Sequence, residues 1–466
     1  MFQTLAHIAF LALALHVPLA RAHPGGVTTY QGTFADGAAY LIEAPSNWNG
    51  TLVLYSHGYV TPGSPNPAYD IGDPKTGQYL LAHGYALAGS SYASAGWAVA
   101  EALPDQIEVL DTFAELVGQP ARTIAWGESM GGLITAGLIQ QYPSRFAAAL
   151  PMCGAVAGAV GTWNSLLDTA FAFNVLLAQG QLQVVDIGNP YTNYTNAEAI
   201  LSSAQKTAQG RARIALSAAL ADIPGWYKPG SPQPGPTDYA EQETSQFLWL
   251  QQDAFLFGFD LRAELETRAG GNPSWNVGID YGDQLAKSAD RTEVTALYAQ
   301  SGLSLDADLN TLSAALQIAA DPAALTYLSD NIILDGQLSV PVLTLQTEGD
   351  GLVVNETDSA YETAVRGAGD GAELRRAFVD RAGHCTFTPG ETIAAFEVLV
   401  RRLNSGRWSG LSPSTLNAVS QALGSQYNAF PPAYAAFVPG PYLRTYNGTP
   451  PRARVRFLKS RAARQP

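Results

Sequence analysis

The hydrophobic pattern changes period several times along the chain. Residues 27–34 (VTTYQGTF) and 38–44 (AAYLIEA) read as two strands, joined at Asp36-Gly37, a dipeptide that favours a tight hairpin. Thr51–Ser56 reads as a short apolar strand that ends in His57-Gly58. A helical segment over 78–83 precedes a strand at 85–88. Over 100–117 the spacing becomes that of a helix, with Ile107, Leu110, Phe113 and Leu116 on one face. A strand at 123–126 then runs directly into Gly127-Glu128-Ser129-Met130-Gly131. Residues 132–141 are helical again, and 146–152 form the next strand. Strands alternating with helices predict an α/β fold, a mostly parallel sheet with helices on both faces.

The alternation stops near residue 155. From there to about 335 the chain reads as mostly helical, with helices at 260–268 and 308–318 and breaks at Pro224-Gly225, Pro229-Gly230 and Gly270-Gly271. Strand and helix signals resume at 340–345, 373–379 and 391–403. From residue 430, Pro431, Pro432, Pro439 and Pro441 interleave with Phe430, Tyr434, Phe437 and Tyr442. From Arg444 the chain holds seven Lys or Arg and no acid, which predicts a solvated or surface-docked basic tail. No internal repeat stands out.

The first residues carry a different signal. The apolar run at 5–19 is short for a membrane span and long enough for a signal-peptide core. Ala20-Arg21-Ala22 follows as a small-x-small cleavage pattern, so cleavage after Ala22 is expected, leaving His23 first; the alternative is an uncleaved anchor. No later stretch holds about 18 uninterrupted apolar residues, so no stable membrane insertion is expected after cleavage. The expected organisation is a signal peptide over 1–22, a first core segment over 23–154, a helical cap over 155–335, a second core segment over 336–405 and a C-terminal extension over 406–466. A secreted or periplasmic location follows from the signal. Sequons stand at Asn49, Asn193, Asn355 and Asn447.

Composition narrows the function classes. Of 466 residues, 47% are hydrophobic and 14% charged, which excludes a disordered chain. The net charge of -14 argues against a nucleic-acid partner, whose phosphates call for basic residues. Histidine and cysteine nowhere cluster with ligand spacing, so neither a metal nor an organic cofactor is expected.

The chemistry lies at strand ends. Gly127 to Gly131 is G-x-S-x-G between a strand and a helix, the context in which such a serine is held on a sharp turn. A serine nucleophile needs a base whose pKa lies near working pH. Six histidines are present. His7 and His16 fall in the signal segment, and His23 at the expected new terminus. His83 precedes a strand and should lie at the opposite sheet edge, and His57 belongs to the loop after the third strand. His384 follows the last strand and is the candidate base. The acid that orients it should come from the end of the 340–345 strand, where Asp350 leads and Glu348 competes, with Asp380 and Asp358 behind. The amides of Met130, after the nucleophile, and Tyr59, in the loop after the third strand, are the candidate oxyanion donors.

These residues resemble the α/β-hydrolase-fold serine hydrolases, through Ser56-His57-Gly58, residues 127–132, Thr347 to Asp350 and Gly383-His384. The resemblance covers about 50–153 and 338–404. It implies a central, mostly parallel sheet, with a cap inserted after the sixth strand where the helical segment falls. His384-Cys385 is similar to secreted tannase and feruloyl-esterase-like enzymes, in which cysteines beside the serine and histidine are bridged. Glu128 stands where that group has a cysteine before the nucleophile. In the implied fold Cys153 and Cys385 both reach the sheet edge near Ser129, so a disulfide between them is expected. The function implied is a secreted serine hydrolase, foremost a carboxylic ester hydrolase on a small-molecule or polymer ester. The rivals are a serine peptidase and a non-catalytic binding protein on the same fold. Most cap aromatics are expected to pack the cap itself; several of Trp163, Phe171, Phe173, Trp226, Tyr227, Trp249, Phe255 and Phe257 are expected to line an apolar pocket above Ser129.

Overall fold

The structure is a computed structural model and describes residues 19–22 and 26–448. The core of the expected signal segment, His23 and the basic run beyond residue 448 lie outside the described residues.

One twisted sheet organises the molecule. Its strands are β1 (Leu19–Ala22), β2 (Val27–Thr33), β3 (Ala39–Pro45), β4 (Thr51–Ser56), β5 (Ala86–Ser90), β6 (Arg122–Glu128), β7 (Ala148–Met152), β8 (Val342–Gly349), β9 (Leu374–Ala382) and β10 (Tyr434–Ala435). Their order across the sheet is β1-β2-β3-β5-β4-β6-β7-β8-β9-β10. From β5 to β9 every pairing is parallel; β1, β2, β3 and β10 add antiparallel at the two ends. Leu19–Ala22, which the expected cleavage would remove, pair with β2 through Leu19↔Gln31 to Ala22↔Thr28.

The central strands are buried and largely apolar because helices cover both faces. All six residues of β4 are buried. Leu52 and Leu54 face a cluster shared with α2 (Val99–Leu116) and α3 (Met130–Gln141); Val53 and Tyr55 face the opposite cluster, with Leu80 of α1 (Pro74–Ala82) and Phe396 of the Pro389–Ser405 helix. The period of two along the strand thus feeds two separate cores.

Between β7 and β8 lies the helical segment, from α4 (Ala159–Leu176) to the helix Pro322–Asp330. It has its own apolar clusters, one around Phe173, Trp249, Phe255 and Phe259 and one around Phe171, Tyr281 and Tyr298. Two single wide turns, Leu250–Ala254 and Phe257–Leu261, interrupt its helices. Such turns often sit where a helix must re-aim a side chain at a functional site.

The basic-tail expectation fails at its first residue. Arg444 is buried, pairs with Asp168 of α4 and donates to the Trp275 carbonyl. Its neighbours in sequence carry no acid, and the partner lies 276 residues away. A reading by local charge cannot see such a pair. The preceding Pro/aromatic segment also docks: Tyr434 pairs with Val379, and the Phe437 ring meets Phe378 at 5.3 Å. Arg381, at the end of β9, bonds Glu391 with both nitrogens and ties in the Pro431 carbonyl. A helix at Pro413–Ala422, capped by Ser412, was not anticipated. Of the sequons, Asn193 and Asn355 are buried while Asn49 and Asn447 are exposed. Among the described residues no helix is long and apolar enough to cross a membrane.

Candidate active site

The turn between β6 and α3 holds Ser129 at φ 59°, ψ -124°. A non-glycine residue there is strained, and the surrounding contacts must impose it. Glycine makes those contacts possible. A Cβ on Gly131 would come within 1.9 Å of the Ser56 carbonyl, and one on Gly127 within 2.3 Å of the Gly131 carbonyl. Ser129 donates its own N–H to Met152 O of the neighbouring strand at 3.0 Å. The side chain therefore projects over the carboxyl edge of the sheet, at the N-terminus of α3.

His384 and Asp350 arrive from the next strand ends. His384 Nε2 lies 2.8 Å from Ser129 Oγ, and Nδ1 lies 2.7 Å from Asp350 Oδ2. Asp350 is fully buried, and its Oδ1 accepts from the amides of Leu352 and Val353 at 3.0 Å each. Glu348 makes no such contact with His384, Asp380 is exposed, and Asp358 is buried in the first turn of the helix Thr357–Ala368. Burial lowers the His384 pKa, but the Asp350 charge and hydrogen bond outweigh it, helped by Asp253 and Glu128; the net shift is upward.

Two of these carboxylates were not assigned a role from sequence. Glu128 is walled in by the Tyr55 hydroxyl at 3.2 Å and by Gly72, where a Cβ would come within 2.6 Å of Oε1. Burial pushes it up to about 7; Tyr55 pulls it down, Asp73 adds to the rise and His384 opposes it. Asp253 belongs to the first wide turn of the helical segment. Burial raises it to about 6, with His384 pulling it down and Asp350 pushing it up. Its sequence signal was a lone acid inside the run FLWLQQDAFLFGF at 247–259.

The Cys153–Cys385 disulfide is present, with Cα atoms 5.4 Å apart. Glu128 pairs in register with Met152, so the bridging cysteine sits one strand over from the position beside the nucleophile. Cys385 Sγ lies 3.5 Å from His384 Nε2. Among the described residues, Cys153, His384 and Cys385 are the one grouping of three or more whose possible metal-ligand atoms all fall within 4.8 Å, and both sulfurs are already bonded to each other.

The loop after β4 completes the surround. A Cβ on Gly58 would lie 3.2 Å from Ser129 Cβ, so the Gly58-Tyr59 backbone passes against Ser129. The Met130 amide lies in the first turn of α3, where helical N–H groups lack a partner. His57 is buried, stacks on Tyr92 at 4.0 Å and contacts the Gly58 and Ser91 carbonyls, which fixes the loop; burial lowers its pKa. His83 is exposed at the far edge and contacts the Tyr79 carbonyl.

Of the aromatics of the helical segment, Phe171, Phe173 and Phe255 are spent on its own clusters. Phe257 reaches Tyr59 at 5.2 Å and Trp163 at 6.3 Å. Trp249 covers Gly351, Tyr227 meets the Trp249 ring at 5.0 Å, and Trp226 covers Gly349. Trp226 and Trp249 thus pack on Gly349 and Gly351 beside Asp350, and Phe257 packs on Tyr59.

A nucleophile elbow between strand and helix, on a mainly parallel sheet, defines the α/β-hydrolase-fold serine hydrolases, and the chain has that fold. No protein-family model matches it. The o-phthalyl amidase of Xanthobacter agilis is 30% identical over 426 residues, spanning 84% of this chain and 90% of that protein, and the chain belongs to the same family of hydrolases. Among solved structures it is similar to the rice cell wall degrading esterase LipA of Xanthomonas oryzae, at 13% identity and a TM-score of 0.37 over 81% of this chain and 89% of that one. Feruloyl esterase B of Aspergillus oryzae has 13% identity and a TM-score of 0.39 over 82% and 81%. The acylaminoacyl peptidase of Pyrococcus horikoshii has 9% and 0.39 over 86% and 44%.

Proposed function

We propose that the protein is a serine hydrolase that opens carboxylic esters through an acyl-enzyme on Ser129. The observation that carries this reading is the continuous row Ser129 Oγ, His384 and Asp350, with contacts of 2.8 and 2.7 Å. Ser129 Oγ attacks the acyl carbon and His384 Nε2 takes its proton. Asp350 holds the Nδ1 proton and stabilises the imidazolium. The amides of Tyr59 and Met130 receive the developing oxyanion. Nε2 then returns the proton to the leaving group, and water repeats the sequence to free the acid. The helical segment between β7 and β8 acts as the cap, and a disulfide beside the base fits an exported protein.

A second reading, amide cleavage, is favoured by the 30% identity to an o-phthalyl amidase. The same residues serve both, because only the leaving group differs. Rates on p-nitrophenyl esters, aminoacyl nitroanilides and an o-phthalyl amide separate an esterase from a peptidase and from an amidase of that kind. A fluorophosphonate probe should label the chain and fail on Ser129→Ala. Equal labelling of both, or none of either, would remove the acyl-enzyme and leave a binding protein.

A further inference from the structure

One long helix of the helical segment spans the site. It runs without a break from Tyr239 to Ala269, through both wide turns. Trp249 packs on Gly351, beside Asp350, where a Cβ would come within 2.4 Å of its ring. Phe257 meets the Tyr59 ring at 5.2 Å, in the loop that passes against Ser129. Asp253 stands four residues from each, and residues about four apart share one helix face. That face touches the core at both ends, on either side of Ser129: His384 and Asp350 lie on one side and Gly58-Tyr59 on the other. Asp253 therefore lies over the gap between them. Among the described residues its carboxylate has no hydrogen bond or ion pair, and its oxygens are not shut off from solvent. Burial raises its pKa to about 6, so it is an anion at neutral pH, and its charge reaches His384, Asp350 and Tyr227.

We propose that Asp253 selects the substrate, binding a cationic nitrogen carried close to the carbonyl that Ser129 attacks. The inference rests on the acyl-enzyme reading above and adds a substrate class to it. A carboxylate partly withdrawn from water acts more strongly on a nearby charge than one at the open surface. The protein supplies Asp253 with no donor, and a substrate cation would provide one charge to pair with it. Aromatic rings flank the position along the helix. Trp249 and Tyr227 meet at 5.0 Å before it and Phe257 follows it, and ring faces attract cations as well. An anionic group in the same place would meet like charge and be rejected. A neutral apolar group would cover the carboxylate and leave it unpaired, which also weakens binding. Glu128, the other acid whose charge acts on His384, already accepts from the Tyr55 hydroxyl at 3.2 Å, so Asp253 is the one left without a partner.

Matched ester series on the full chain test this. In the acyl series, p-nitrophenyl esters of trimethylammoniobutyrate, of its neutral carbon isostere and of glutarate place a positive, a zero and a negative charge at the same point. In the leaving-group series, butyrylcholine is set against the butyrate of the neutral carbon isostere of choline. The expected result is a kcat/KM about tenfold or more higher for the cation than for its isostere in at least one series, carried mainly by KM, with the glutarate ester slowest of its set. Asp253→Asn should bring that ratio to within about twofold of one, and Asp253→Lys should place the glutarate ester above the cation. A carboxylate that only tuned His384 would change every member together and leave the ratio alone. If Asp253→Lys fails to fold, Asp253→Asn carries the test. Equal kcat/KM for cation and isostere in both series, or a preference that survives in folded Asp253→Asn, overturns the proposal and leaves the hydrolase standing. Failure to cleave any member overturns the acyl-enzyme reading and this proposal together.

Discussion

Glu348 and Asp350 stand two residues apart at the end of β8, and their surroundings differ completely. Asp350 meets His384 at 2.7 Å and two backbone amides at 3.0 Å. Glu348 faces a cavity of further acids and leaves a buried oxygen unpaired. Burial pushes Glu348 up to about 7, with the Asp380 charge adding to the rise. Partners, more than burial, decide what a buried carboxylate does. Three hydrogen-bond partners hold the Asp350 side chain where it can orient a base. The lack of donors around Glu348 favours its protonated form instead. Arg381–Glu391 and Arg444–Asp168 are further paired examples, each buried on both sides.

The strongest way to break this contrast is at the site. Ser129→Ala and His384→Ala should each lose about a thousandfold or more in kcat with the fold intact. Asp350→Asn should be comparably severe, whereas Glu348→Gln should change kcat little. The reverse ranking, read from steady-state rates on an ester, would assign the orienting acid to Glu348.

A second intervention turns a paired acid into an unpaired one. Arg444→Ala, or truncation after Pro441, leaves Asp168 buried without its cation, while the Tyr281 and Gln284 bonds remain. A loss of about 3–5 kcal/mol in denaturant unfolding is expected, because an uncompensated buried charge is left behind. An unchanged midpoint would return Arg444 to the class of solvated surface charge.

Removing the disulfide should cost somewhat less. Cys153→Ala with Cys385→Ala opens a loop of 232 residues, and about 2–4 kcal/mol is typical for such a link. The His384 loop also loses its tether, so kcat should fall alongside stability; an active, equally stable variant would make the bridge incidental.

The finest test is the pH profile. His384 must be neutral to accept a proton, and its pKa is raised, so activity should fall on the acid side with a midpoint above the ordinary imidazole value. Asp253→Asn and Glu128→Gln each remove a negative charge that favours the imidazolium, and both should move that midpoint down. A midpoint unmoved by either would show that solvent screens them from the base.

The sequence by itself determined a great deal of this molecule. Strand periods, Gly127 to Gly131 and the chain order of Ser129, Asp350 and His384 are local signals, because a tight turn or a buried strand constrains the residues that compose it. The β2–β3 hairpin was legible at Asp36-Gly37, but the β3–β5 pairing, the short strand at Tyr434–Ala435 and the capped helix at Pro413–Ala422 were less so, since edge pairing and capping depend on neighbours brought from elsewhere. Tertiary structure alone brought Asp350 and not Glu348 against His384, set Asp253 close enough for its charge to act on His384, joined Arg444 to Asp168 and gathered acids from three stretches around one cavity. Each of these depends on which charges or donors share a low-dielectric space. Sequence separation carries no trace of that, because electrostatic interaction follows distance in space.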